Sequence, residues 1–242
     1  MNVKKAGFIG IFSVVIMVAC VSTAFSIEKE KTLRLPADGL RTLRINCGAG
    51  GLRVVGDSSL RDIEVTARIV AKGISEKRMD DFIADKIRLS LEKRGDAAVL
   101  VSEVKSGFRI FHFGRDAYID LTVRMPEALN LDIDDSSGSV EVESVDGNLR
   151  LVDGSGSIDI RAVAGDVEID DGSGGIDVRD IGGDVSVDDG SGEIEINDVR
   201  GNVVVDDGSG SIRIDRVEKD VRIESAGSGG VHIGSVKGRV IR

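Results

Sequence analysis

A chain of 242 residues with 42 acidic and 32 basic side chains, net charge −10, is a poor partner for nucleic acid or anionic lipid, which would repel it. No tryptophan, one tyrosine and two cysteines leave neither an aromatic sugar-binding platform nor a disulfide framework. Thirty-one glycines call for many turns, and the length suffices for a core held by burial alone.

Residues 1–26 read as an export leader. Lys4 and Lys5 precede an apolar stretch, 6–21, and the small residues after it fit cleavage following Ala24 or Ser26. The stretch is shorter than the ~20 residues a spanning helix needs. Met17-Val18-Ala19-Cys20 resembles a lipoprotein box with Met where Leu is usual. Simple secretion is therefore favoured over lipidation at Cys20, and a lipid anchor would be the one route to a membrane. The expected location is the periplasm or cell surface. Cleavage removes two lysines and leaves Cys47 as the sole thiol.

Residues 27–129 are expected to form a β-rich N-terminal region. Its segment 43–54 overlays on 203–214 with aliphatic residues in matching places, so a first half-rung precedes an insertion of about 75 residues. Within the insertion the pattern predicts strands over 62–70, 87–93, 97–104 and 118–125, with a turn at Arg94-Gly95-Asp96. A helix is predicted over 75–86, with Ser75 as N-cap and Met79, Phe82 and Ile83 on one face. It is expected to cap an end or a side of the fold, protecting an open sheet edge.

From Asn130 the chain repeats. Ser-Gly recurs at Ser137, Ser155, Ser173, Ser191 and Ser209, each 18 residues after the last, and a sixth copy at Ser228 arrives one residue late. That slip predicts a bulge near Ala226 and Gly227. Aliphatic residues hold one register, as in Ile176, Val178, Ile181, Val185 and Val187, then Ile194, Ile196, Val199, Val203 and Val205. Pairs two apart are inward-facing strand positions, so each unit holds two short strands and two turns. One such unit cannot bury its own apolar row. The predicted fold class is therefore all-β, a single-stranded parallel β-solenoid of about six 18-residue rungs over 130–242, with rungs stacked ~4.8 Å apart. The uneven aliphatic spacing favours a flattened coil with two main sheets over a triangular hexapeptide helix.

Asp135, Asp153, Asp171, Asp189 and Asp207 fall in one column, with Asp134, Asp170, Asp188 and Asp206 beside it. The favoured expectation is that each accepts a hydrogen bond within its own turn and points into solvent. The alternative is a row of Ca²⁺ ions bridging rungs through carboxylates and serine hydroxyls. Apart from that, no cofactor is expected. The serines Ser155, Ser173, Ser191 and Ser209 have no histidine in a nucleophile–base pattern, so an enzyme is not expected.

Phe108, Phe111, His112 and Phe113 are the best local candidate for a binding tip, weighed against an apolar hairpin packed on the cap. The mixed row Glu141, Asp159, Asp177, Glu195, Arg213 and His232 reads as a solvated outer face. The final residues, Val240-Ile241-Arg242, lack a following cap, which points to self-association through that edge.

The leader, the half-rung around Cys47, the strand ending Val123-Arg124-Met125-Pro126 and the glycine-punctuated rungs resemble the bacterial putative-adhesin family of domains of unknown function. The resemblance implies a solenoid fold and an envelope or surface-binding role, with no catalytic motif to carry over. The expected function is thus a non-enzymatic cell-envelope binding or scaffold module with an envelope protein or surface ligand as partner. Two alternatives are a carbohydrate-active or cation-dependent β-helix enzyme and an envelope-stress regulator acting through a partner protein.

Overall fold

The computed structural model describes residues 26–105 and 117–242. Cys20, Phe108, Phe111, His112 and Phe113 lie outside the described residues. Eight strands and a helix precede the regular repeats: β1 (Ser26–Pro36), β2 (Thr42–Ala49), β3 (Leu52–Gly56), β4 (Asp62–Lys72), α1 (Glu76–Lys86), β5 (Ile87–Arg94), β6 (Ala97–Val104), β7 (Ala117–Met125) and β8 (Asn130–Val145). The repeats then supply β9 (Leu149–Asp153) and β10 (Gly156–Val163), β11 (Val167–Asp171) and β12 (Gly174–Ile181), and β13 (Val185–Asp189) and β14 (Gly192–Val199). The last are β15 (Val203–Asp207) and β16 (Gly210–Val217), β17 (Val221–Ala226) and β18 (Val231–Ile233), and β19 (Val240–Ile241).

The solenoid is flattened, as the aliphatic spacing predicts, into two sheets. Even-numbered strands from β10 to β18 stack in parallel in the first, and odd-numbered strands from β9 to β19 in the second. β8 is long enough to serve both: its first half pairs with β9 and its second half with β10. Aliphatic residues stack on their 18-residue counterparts, with Ile158 on Ile176 on Ile194 and Val167 on Val185 on Val203. All six are at most 2% exposed. Each such side chain removed from water contributes roughly 1.5–3 kcal/mol, which offsets the entropy of ordering a rung that has no core alone.

The insertion does more than interrupt the repeat. β6 pairs in parallel with β2, and β7 with β3, on the side away from β8. The two strands form a further rung beneath the first, so the chain adds a layer below before it builds upward. Sequence reading found both strands but not this pairing, because their connection lacks the Asp-Gly-Ser-Gly signature.

Beyond that rung the strand direction reverses. β4 and β1 continue the first sheet antiparallel, and β5 continues the second. α1 links β4 to β5 and places Met79 and Ile83 in the core, with Phe82 packed against it. Ser75 occupies the N-cap position, but its side chain makes no capping bond and instead accepts from Arg78 Nε at 3.3 Å. The extra residue of the final repeat is absorbed at Glu224, inside β17, where the register passes from Val205↔Ile223 to Asp206↔Ser225. That is two residues before the predicted Ala226. At the far end β18 and β19 are short, and Val240 and Ile241 are the exposed large hydrophobic residues among those described.

Candidate functional site

The aspartate column corrects the sequence reading. Asp135, Asp153, Asp171, Asp189 and Asp207 do not point into solvent; none is more than 3% exposed. Strand alternation explains this. In β11 the inward positions are Val167, Ile169 and then Asp171, so period two carries the carboxylate into the interior. The other half of the expectation holds for three members: Oδ1 of Asp153, Asp171 and Asp189 accepts the backbone N–H of Ser155, Ser173 and Ser191 at 3.0–3.2 Å. The second oxygen of these three is buried without a hydrogen-bond partner; Asp135 and Asp207 make no bond of normal geometry, though the Cys47 thiol lies beside Asp135 and the Ser209 N–H beside Asp207.

The column extends beyond the aspartates. Ser102 of the extra rung stacks on Cys47, Cys47 on Asp135, and Asp207 is followed by Ala226. Burial, reinforced by the Asp135 charge, pushes the Cys47 thiol far above its ordinary pKa, so it is no reactive thiolate. Burial also raises Asp135 and Asp171 to about 6 and shifts Asp153, Asp189 and Asp207 upward. Two ionised neighbours at ~4.8 Å would repel by roughly 3–4 kcal/mol at an effective dielectric near 20. Among the described residues, no three His, Cys, Asp or Glu side chains are arranged to hold a metal ion.

The serines of these turns bond through their backbone: the N–H groups of Ser155, Ser173 and Ser191 go to the aspartates, and the carbonyls of these three and of Ser209 accept a glycine N–H of the preceding rung, as Gly156 N–H to Ser173 O at 3.0 Å. Glycine is obligatory where rungs touch. A Cβ on Gly174, whose φ is +151°, would sit 1.5 Å from the Gly156 carbonyl oxygen.

A second ladder, which the sequence reading missed, lies at the opposite corner. Side-chain oxygens of Asn130, Asn148, Asp166 and Asp184 each accept the backbone N–H of the residue 18 positions on, at 2.7–3.0 Å. Asn202 continues it to Asp220 at 3.3 Å. Its signal was present: Asn or Asp precedes the first aliphatic residue of β9, β11, β13, β15 and β17.

Beside that ladder runs a groove of about 810 Å³ along the stack. It exists because the chain kinks at Ala162, Asp180, Asp198 and Arg216, non-glycine residues held at φ +56° to +59°. The backbone at Val163, Ile181, Val199 and Val217, whose side chains are buried in the core, runs along its base, and Ala164, Gly182, Arg200, Glu218 and Lys237 form one wall. Five successive wall residues span roughly 20 Å at the sheet spacing. One end is small and neutral, while the other carries the ion pairs Arg216–Asp198, at 2.6 Å, and Lys237–Glu218, at 2.9 Å. The row Glu141, Asp159, Asp177, Glu195, Arg213 and His232 aligns across the first sheet as predicted. Arg53 and Arg161 bridge its Glu141, the latter at 3.3 Å.

No helix among the described residues is long and apolar enough to cross a membrane. No protein-family model matches the chain, and no curated protein matches it. Solved structures do. A lipid binding protein from Parabacteroides distasonis, named as putative, is 15% identical over 88% of this chain and 93% of its own, with TM-score 0.49. A putative adhesin from Bacteroides fragilis is 13% identical over 88% and 96%, with TM-score 0.37. A putative cell adhesion protein from Clostridium sporogenes is 12% identical over 88% and 97%, with TM-score 0.34.

Proposed function

We propose that this chain is an exported, non-enzymatic solenoid that binds an extended ligand, a glycan or peptide strand of the cell envelope, along the corner groove. The observation that carries the reading is the groove itself: it crosses five successive rungs, with a wall that passes from small, neutral residues to charged ones. A stack of rungs loses little conformational entropy on binding, so a long shallow contact can still yield affinity. The serine and aspartate columns favour binding over catalysis, because their groups are committed to turns or to the interior. Export rests on Lys4, Lys5, the apolar stretch and the small residues after it, and agrees with the family resemblance in the sequence.

The test is capture from a solubilised bacterial envelope fraction by the purified chain and by Ala164→Trp. Ala164 is exposed on the groove wall and donates only its backbone N–H, to Val145 O at 2.8 Å. The indole fills the groove without disturbing that bond. Capture by the parent chain and its loss in the variant, with an unchanged circular dichroism spectrum, is the expected result. Equal capture by both would refute binding along the groove.

A further inference from the structure

We propose that the interior aspartate column is a proton-sharing ladder, in which a carboxylic acid on one rung donates to a carboxylate on the next, so that the solenoid folds with protons bound. The warrant is geometric. Asp135, Asp153, Asp171, Asp189 and Asp207 are consecutive register partners, all buried, with at least one partnerless oxygen each. An ionised carboxylate can only accept, so two facing carboxylates cannot satisfy each other. One proton turns an acceptor into a donor and satisfies two orphaned oxygens together.

No basic group competes for this role. Among the described residues the buried polar side chains are Ser102 and the five aspartates, with no buried lysine, arginine or histidine. The other titratable groups that act on the column are the Cys47 thiol at one end and Asp188 and Asp206, on the outer face of their strands. Both aspartates disfavour ionisation of the column. The upward pKa shifts, caused first by burial, run in the same direction.

The sign follows from linkage. A folded state with raised aspartate pKa values binds more protons than the unfolded chain, so stability falls as pH rises from the ordinary aspartate range through about 6. Each proton so held changes the folding constant roughly tenfold per pH unit within that window. Rungs therefore hold together best in mildly acidic surroundings.

The experiment is urea unfolding of the chain between pH 4.5 and 7.5, beside two charge-matched double variants. Asp171→Asn with Asp189→Asn keeps the turn acceptor and gives each side chain a permanent donor. Asp170→Asn with Asp188→Asn removes equal charge from the outer face. The expected result is a midpoint that falls with pH equally steeply in the parent and the outer variant and less steeply in the inner one, which retains Asp135, Asp153 and Asp207. An inner variant with the parent's full slope would overturn the ladder. So would a Ca²⁺-induced rise in the parent's midpoint at pH 7.5 that the inner variant lacks, since a cation would then bridge the column. If the inner variant does not fold, infrared spectra of the parent decide: a carboxylic-acid carbonyl band at pH 6.5 supports the ladder, and its absence refutes it.

Discussion

Oδ1 of Asp184 accepts the backbone N–H of Asn202 at 2.7 Å, reaching 18 residues along the chain and one rung along the stack. It also meets the Asn202 side-chain amide at 3.1 Å. The same side chain thus ends one turn and fixes the height of the next. Asp184→Ala is expected to lower stability by about 1 kcal/mol, since water can replace part of an exposed bond. Asp184→Asn, which retains the acceptor, is expected to cost a few tenths at most. Urea unfolding separates them. Equal losses in the two variants would mean that the charge, not the hydrogen bond, matters there.

Gly174 and Gly175 are adjacent but opposite in tolerance. A methyl on Gly174 meets the Gly156 backbone, whereas one on Gly175 has nothing within 4 Å. Gly174→Ala is expected to cost roughly 3 kcal/mol or more, by forcing rungs apart. Gly175→Ala is expected to be neutral or to stabilise by up to about 1 kcal/mol through reduced unfolded-state freedom. Thermal melts of the pair check this, and similar melting temperatures would contradict the close rung contact.

Ala162 and Ala164 should respond with opposite signs to glycine. Ala162 holds φ +56°, where a Cβ is strained, so Ala162→Gly is expected to raise stability by roughly 0.5–1 kcal/mol. Ala164 is not among the positive-φ residues, so Ala164→Gly is expected to lower it by a similar amount. Denaturant midpoints read both, and a loss at Ala162 would show that the kink is not strained.

Much of this was legible beforehand because stacking repeats one inference many times. Ile158, Ile176 and Ile194 each carried the same weak alternation, and their common 18-residue interval made it decisive. What failed was the direction of a polar residue. Asp171 was assigned to its turn, pointing into solvent where repulsion is screened, but its parity with Val167 and Ile169 carries it inward. The kinks at Ala162 and Arg216 were invisible because neither residue favours positive φ; tertiary stacking imposes that conformation. The ladder from Asn130 to Asp220 was readable from its 18-residue interval, but a lone Asn or Asp at a turn also fits a bond within that turn, so its bond to the next rung shows only once the rungs are stacked.

Stability is also expected to decline at low pH, through different groups. Hydrogen bonding to Arg216 lowers the Asp198 pKa, and the Asn202 backbone N–H lowers that of Asp184. For a depressed carboxylate the contribution is present above the unfolded pKa, near 3.9, and is lost as pH falls through the folded value. Melting temperatures should fall as pH drops from below the ordinary aspartate range to 2, and Asp198→Asn should lower the melt at pH 5 while converging with the parent at pH 2. The effect is small because solvent screens both partners. A constant gap between the two curves at every pH would contradict the assignment.

The most direct measurement of the central claim is a capture assay on a bacterial envelope fraction with single substitutions spread along the groove: Ala164→Trp, Arg200→Glu and Lys237→Glu. It is run beside Phe111→Ser with Phe113→Ser. Binding along the stack requires that all three groove variants weaken capture while the phenylalanine variant retains it. Loss confined to the phenylalanine variant, with the groove variants unaffected, would contradict the account.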